Sequence, residues 1–100
     1  MYTAHLTKAN PNSTKKYTVL IIDEITGRKR TISFGARGYE DFTIHRDQER
    51  RQRYIDRHQA REDWNNPFTA GFWSAHLLWK KPTIEASMKD ISRNYDIQFR

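Results

Sequence analysis

The chain contains no cysteine among its 100 residues. That excludes a disulfide framework and a thiolate metal site, and a cytosolic or nuclear setting is the expectation. Long apolar runs are missing as well. The longest uncharged stretch, Asn65 to Trp79, is too short to span a bilayer, and Met1 to Lys16 lacks the apolar core of a signal peptide, so membrane insertion is not expected. Aliphatic residues are few, and the hydrophobic fraction of 36% is low beside 30% charged residues. Neither an internal repeat nor a low-complexity segment is visible.

What the chain has instead is aromatic area. Thirteen per cent of it is Phe, Tyr or Trp, with three tryptophans, and each such side chain buries far more surface than a small aliphatic one. At this length there is room for one domain and one modest core. The formal charge of +6 invites a nucleic-acid reading, so its distribution matters more than its total. Residues 1–35 hold six Lys/Arg against two acids, residues 36–66 seven against seven, and residues 67–100 five against three. The arginine-rich middle is electrically neutral.

Along the chain, residues 1–14 mix small and polar residues around Asn10-Pro11-Asn12 and read as a flexible arm. The remainder, 15–100, reads as a single small α+β domain. Lys16 to Asp23 is β-branched and aromatic, and Arg28 to Phe34 alternates, which predicts a β-hairpin turning at Glu24 to Gly27. The run Val19 to Ile22 predicts that both faces of the first strand are covered. Gly35 to Gly38 reads as a turn. Arg46 to Asp63 is full of helix formers with a narrow stripe of Tyr54, Ile55 and His58, the mark of a surface helix docked by one edge.

Asn66-Pro67 opens a second helix whose apolar residues, Phe68 to Trp79, wrap nearly its whole circumference, so it should be central. Lys81-Pro82 ends it. Thr83 caps a third helix with Ile84, Met88, Ile91 and Tyr95 on one stripe. Asp96 to Arg100 alternates and reads as a short strand or a frayed end. The predicted fold is therefore an N-terminal hairpin packed on about three helices.

Catalytic and metal chemistry find little support. His45, His58 and His76 are at least thirteen residues apart, with no i, i+4 pair on one helix to clasp a metal. His45-Arg46-Asp47 spells the kinase catalytic-loop tripeptide, but the chain is too short for that fold and has no glycine-rich loop or DFG. There is no nucleophile elbow, and the carboxylates of the charged helix lie in no apolar pocket that would raise a pKa. No enzyme, cofactor or metal is expected.

Two binding surfaces stand out. Arg50, Arg53, Arg57 and Arg61, with Trp64, Phe68 and Trp73, form a candidate surface for a protein partner. Acids interleave with those arginines and would face the same phosphates. The better candidate for nucleic acid is the acid-poor cluster Lys15, Lys16, Arg28, Lys29 and Arg30.

Four strings carry a family likeness: Phe34-Gly-Ala-Arg-Gly-Tyr-Glu-Asp-Phe-Thr-Ile-His-Arg-Asp, Arg53-Tyr-Ile-Asp-Arg-His, Trp64-Asn-Asn-Pro-Phe-Thr-Ala-Gly-Phe-Trp-Ser and Leu78-Trp-Lys-Lys-Pro-Thr. From about Lys16 to Ile91 the chain resembles a family of short proteins of nucleocytoplasmic large DNA viruses. That family brings a setting rather than an activity. The resemblance implies a virion protein, present in host cytoplasm or nucleus during infection. A minor capsid protein binding other virion proteins, the major capsid protein among them, is the expectation, and a nucleic-acid-binding or packaging protein is the alternative. An arm and an exposed hairpin edge suit such a role, the edge by strand addition.

Overall fold

Tyr2, Ala4 and Leu6 alternate with Thr3, His5 and Thr7, a period of two that suits a half-buried strand. In the computed structural model, which describes all 100 residues, Tyr2–Lys8 form strand β1. This corrects the flexible arm expected over 1–14. Apart from Met1, only Ala9 to Thr14 lie outside a strand there, and they make a tight connection in which Ala9 N–H donates to the Lys16 carbonyl at 3.0 Å. Strand β2 (Lys15–Asp23) runs antiparallel to β1, Ala4 opposite Ile21 and Leu6 opposite Val19.

The expected hairpin follows. Asp23 Oδ1 accepts the N–H groups of Ile25 and Thr26 at 2.9 and 3.2 Å, which holds its carboxyl below the ordinary carboxylate range. Strand β3 (Lys29–Ala36) then pairs with β2, Val19 opposite Ile32. Four helical segments follow: α1 (Phe42–His45), α2 (Gln48–His58), α3 (Ala70–Trp73) running into a π-helical segment (Ser74–Trp79), and α4 (Ile84–Tyr95). The chain ends in β4 (Ile97–Phe99), parallel to β1. The sheet order is β3-β2-β1-β4. The fold is α+β, with the hairpin as the outer half of a four-stranded sheet.

One face of the sheet carries the core. Ala4, Val19, Ile21, Ile32 and Phe34 meet Phe72, Trp73, Leu77, Leu78 and Ile91 in a single cluster. Leu20 and Ile22 lie on the opposite face with Thr18 and Ser33, whose hydroxyls bond at 3.1 Å, and they are half-exposed. The expectation that both faces of β2 are covered is therefore corrected. A β-branched run suits a strand whether or not its second face is packed.

The central helix is where the sequence put it, but it starts later. Asn66 Oδ1 accepts the Phe68 N–H at 3.0 Å, closing a local turn, and Thr69 Oγ1 accepts the Phe72 N–H at 3.2 Å as the true cap. Trp73 is fully buried, its Nε1 donating to the Pro67 carbonyl at 2.8 Å. An indole so buried contributes about 4–6 kcal/mol of hydrophobic stabilisation. The capping by Thr83, whose Oγ1 accepts from Ala86 N–H at 3.1 Å, and the Ile84, Met88, Ile91 and Tyr95 stripe on the core are as expected.

Candidate functional site

Asp41 builds the corner on which the site rests. Its carboxylate caps α1, accepting the Thr43 N–H at 3.0 Å and the Thr43 hydroxyl, and it accepts Lys16 Nζ at 2.7 Å. Asp41 is buried, so this ion pair pins the start of β2 to the start of the helical layer. Gly35 makes the approach feasible. It adopts φ +77°, and a Cβ there would lie 2.9 Å from Leu78 Cδ1 and 3.3 Å from Lys16 Cβ.

Helix α2 forms the opposite wall. Asp47 Oδ1 accepts from Glu49 and Arg50 N–H at its N-terminus. Arg51 anchors it, Nε donating to the carbonyls of Trp79 and Lys80 at 3.0 and 3.2 Å, where the π-helical segment leaves carbonyls without helical partners. Tyr54 stacks on Trp79 with centroids 4.4 Å apart and on His58 at 4.2 Å. Burial raises the Tyr54 phenol above its ordinary pKa, and the Glu62 charge adds to the effect. Arg50, Arg53 and Arg57 fall at i, i+3 and i+7 along one side of the helix, and Glu49 and Asp56 adjoin Arg53 from the other side, four and three residues away.

Between these walls lies a cleft of about 550 Å³ into which Lys15, Lys16, Arg50, Arg53 and Arg57 open, together with Glu40, Asp41 and Glu62. All three carboxylates are engaged. Asp41 holds Lys16, Glu40 Oε2 lies 3.0 Å from Arg50 Nη1, and Glu62 takes His58 Nδ1 at 3.2 Å and Trp64 Nε1 at 2.9 Å. Lys15, Arg53 and Arg57 have no carboxylate partner. A second cleft of about 540 Å³ adjoins it across the Lys16–Asp41 pair and adds Lys8 and Arg37. Arg37 donates only to carbonyls, those of Asn10 and Lys15, so its charge is uncompensated.

The structure redraws both candidate surfaces. Lys15 and Lys16 lie at the Ala36 end of the hairpin and Arg28, Lys29 and Arg30 at its turn, about 20 Å away along the strands. These five therefore do not form one cluster. Arg28 sits over the Phe68 ring at 4.3 Å, and Arg30 Nη1 donates to the Phe68 carbonyl at 2.7 Å. Both arginines hold the Phe68 segment on the sheet. Phe68 and Trp73 are core residues, which removes them from any partner surface, while Trp64 is half-buried and Arg61 is exposed in the turn after α2. Sequence reasoning missed Lys8, Arg37 and Tyr39, which is 74% exposed on the first cleft. Only the register of β1 could have placed Lys8 there.

A second exposed feature is the edge of the sheet. Asp23 N–H donates to the Arg28 carbonyl, and antiparallel pairing alternates from there, so Arg30, Ile32 and Phe34 bond inward to β2. Lys29, Thr31 and Ser33 therefore turn their N–H and C=O groups outward. All three are exposed, and β3 is the outermost strand.

His76 is buried with Nε2 donating to the Trp64 carbonyl at 2.7 Å. Burial lowers its pKa against the opposing pull of that bond. No helix is long and apolar enough to cross a membrane. The model of a family described as a family of unknown function (DUF5754) matches residues 4–58, from β1 through α2, and so covers every Lys and Arg of both clefts. No curated protein and no solved structure matches the chain.

Proposed function

The chain belongs to this family of unknown function, from which no activity carries over, and we propose that it is a non-enzymatic interaction protein that accepts a strand of a partner protein on the open edge of β3. The observation that carries this reading is the row of outward backbone groups at Lys29, Thr31 and Ser33 on an eight-residue outermost strand. Main-chain bonds to such an edge give affinity, and the alternating side chains give register. On the resemblance to proteins of large DNA viruses, the partner is another virion protein, the major capsid protein first, and the chain is a minor capsid protein.

Amide chemical shifts of the labelled chain, titrated with the major capsid protein of the virus that the resemblance implies, test it. Perturbations should centre on Lys29, Thr31 and Ser33. Thr31→Pro, which removes an outward donor and no bond to β2, should abolish them. Binding that survives this substitution, or shifts confined to other surfaces, would overturn the edge as the docking site. The second reading, binding of nucleic acid, is favoured by the two basic clefts and concerns a different surface.

A further inference from the structure

We propose that the two adjoining clefts form a site for a single strand of nucleic acid, with its phosphates on Lys8, Lys15, Arg53 and Arg57 and one base stacked on Tyr39. The site goes beyond the β3 edge and shares no residue with the outward groups of Lys29, Thr31 and Ser33.

Charge is the first support. The two clefts together hold Lys8, Lys15, Lys16, Arg37, Arg50, Arg53 and Arg57 against Glu40, Asp41 and Glu62. That is an excess of four positive charges, out of six for the whole chain. The excess is also free to act. Lys16 neutralises Asp41 and Arg50 neutralises Glu40, which leaves Lys8, Lys15, Arg37, Arg53 and Arg57 facing the single carboxylate of Glu62, itself held by the Trp64 indole. The acids of α2 that seemed to oppose phosphate contact, Glu49 and Asp56, flank Arg53 on the outer side and line neither cleft.

Shape and aromatics select among anions. The clefts meet at the Lys16–Asp41 pair, which lines both, and give a continuous path from Lys8 and Arg37 to Arg53 and Arg57. Tyr39 stands at that meeting point, 74% exposed, with its neighbour Gly38 lining the second cleft. An exposed aromatic ring beside a cationic groove suits a flexible strand whose bases are free to stack. A duplex presents its bases already stacked and leaves Tyr39 without a partner. An acidic peptide segment would satisfy the cations but offers Tyr39 a ring only where it happens to carry an aromatic side chain, whereas every nucleotide brings one.

Fluorescence anisotropy tests the site on the full chain. The probes are labelled oligo(dT) and oligo(U) of about twelve nucleotides, which span a typical single-strand site, a duplex of the same length, and poly-glutamate. Tight binding of either single-stranded probe supports the proposal, and their ratio tells DNA from RNA. Four phosphate contacts give a slope of log K against log salt of about −3, so affinity should fall roughly fifty-fold between about 50 and 200 mM salt. Arg53→Glu with Arg57→Glu should weaken binding roughly a hundredfold, and Tyr39→Ala roughly tenfold. Arg93→Glu, a single charge reversal on α4 away from both clefts and half the charge change of the Arg53/Arg57 pair, should act only as a small change in net charge. Each variant is first shown to fold by circular dichroism. Poly-glutamate or duplex binding as tightly as the single strands, a Tyr39→Ala variant with unaltered affinity, or an Arg93→Glu loss equal to that of the Arg53/Arg57 pair would overturn the proposal.

Discussion

Removing the Asp41 carboxylate isolates the contact that joins sheet and helices. Asp41 is 3% exposed and the Lys16 side chain 15%, so Asp41→Ala strands a mostly covered ammonium between the two clefts and uncaps α1. A stranded buried charge costs roughly 3–5 kcal/mol and a lost cap about 1 kcal/mol. The two do not add, because one carboxylate does both jobs, and the Lys16 stem lets its ammonium move towards water. The expected loss is about 3 kcal/mol, from a total of roughly 5–15 for a domain of this kind. The tryptophans report unfolding in urea. At a slope of roughly 1.5 kcal/mol per molar the midpoint falls by about 2 M. Asp41→Asn keeps a capping oxygen and should lose less, and adding Lys16→Met to it should recover stability by removing the stranded charge. A loss below about 1 kcal/mol for Asp41→Ala, the range of an ordinary substitution, would refute the reasoning.

Further outcomes follow from individual contacts. In thermal melts, Gly35→Ala should cost about 2–3 kcal/mol, since positive φ and the contact with Leu78 act together. Gly38→Ala, at φ +89° with open space around it, should cost about 1 kcal/mol, and equal losses would contradict the close approach. Arg51→Ala should lose about 2 kcal/mol through the stranded Trp79 and Lys80 carbonyls, whereas Arg53→Ala, exposed and unpaired, should stay within about 0.5 kcal/mol. Because the folded state lowers the His76 pKa below the ordinary 6.5, the unfolded chain binds that proton more tightly. The resulting stability is complete above 6.5 and is lost as pH falls from there towards the folded value. Urea midpoints should therefore drop between about pH 7.5 and about pH 5.5, and the drop should shrink in His76→Gln; an undiminished drop would place the titration elsewhere.

Much of the fold was legible because its signals are local. Alternation marked β3, caps marked α4, and the aromatic density of Phe68 to Trp79 marked the central helix. The strand Tyr2–Lys8 was lost although Tyr2, Ala4 and Leu6 alternate, because Asn10-Pro11-Asn12 drew the whole segment into an arm. Its pairing with β2 and β4 is a long-range fact that no local pattern carries. The site was legible in residue types and not in grouping. Lys15 and Arg57 are 42 positions apart in the sequence yet share a cleft, while Lys15 and Arg28, closer in sequence, stand at opposite ends of one hairpin. Antiparallel pairing separates the ends of a strand as surely as it joins its neighbours. The roles of Arg28, Arg30 and Arg51 as struts on carbonyls and rings could be seen only once Phe68 and Trp79 had been placed.

The most direct test of the proposed structural role, which rests on the resemblance to proteins of large DNA viruses, counts this chain in purified particles of such a virus. Its copy number is measured against the major capsid protein by quantitative mass spectrometry, before and after the genome and membrane are stripped, for wild type and Thr31→Pro. A fixed ratio that survives stripping in wild type and collapses in Thr31→Pro is the expected result. Absence from particles, or a ratio indifferent to Thr31→Pro, would contradict a capsid role through the β3 edge.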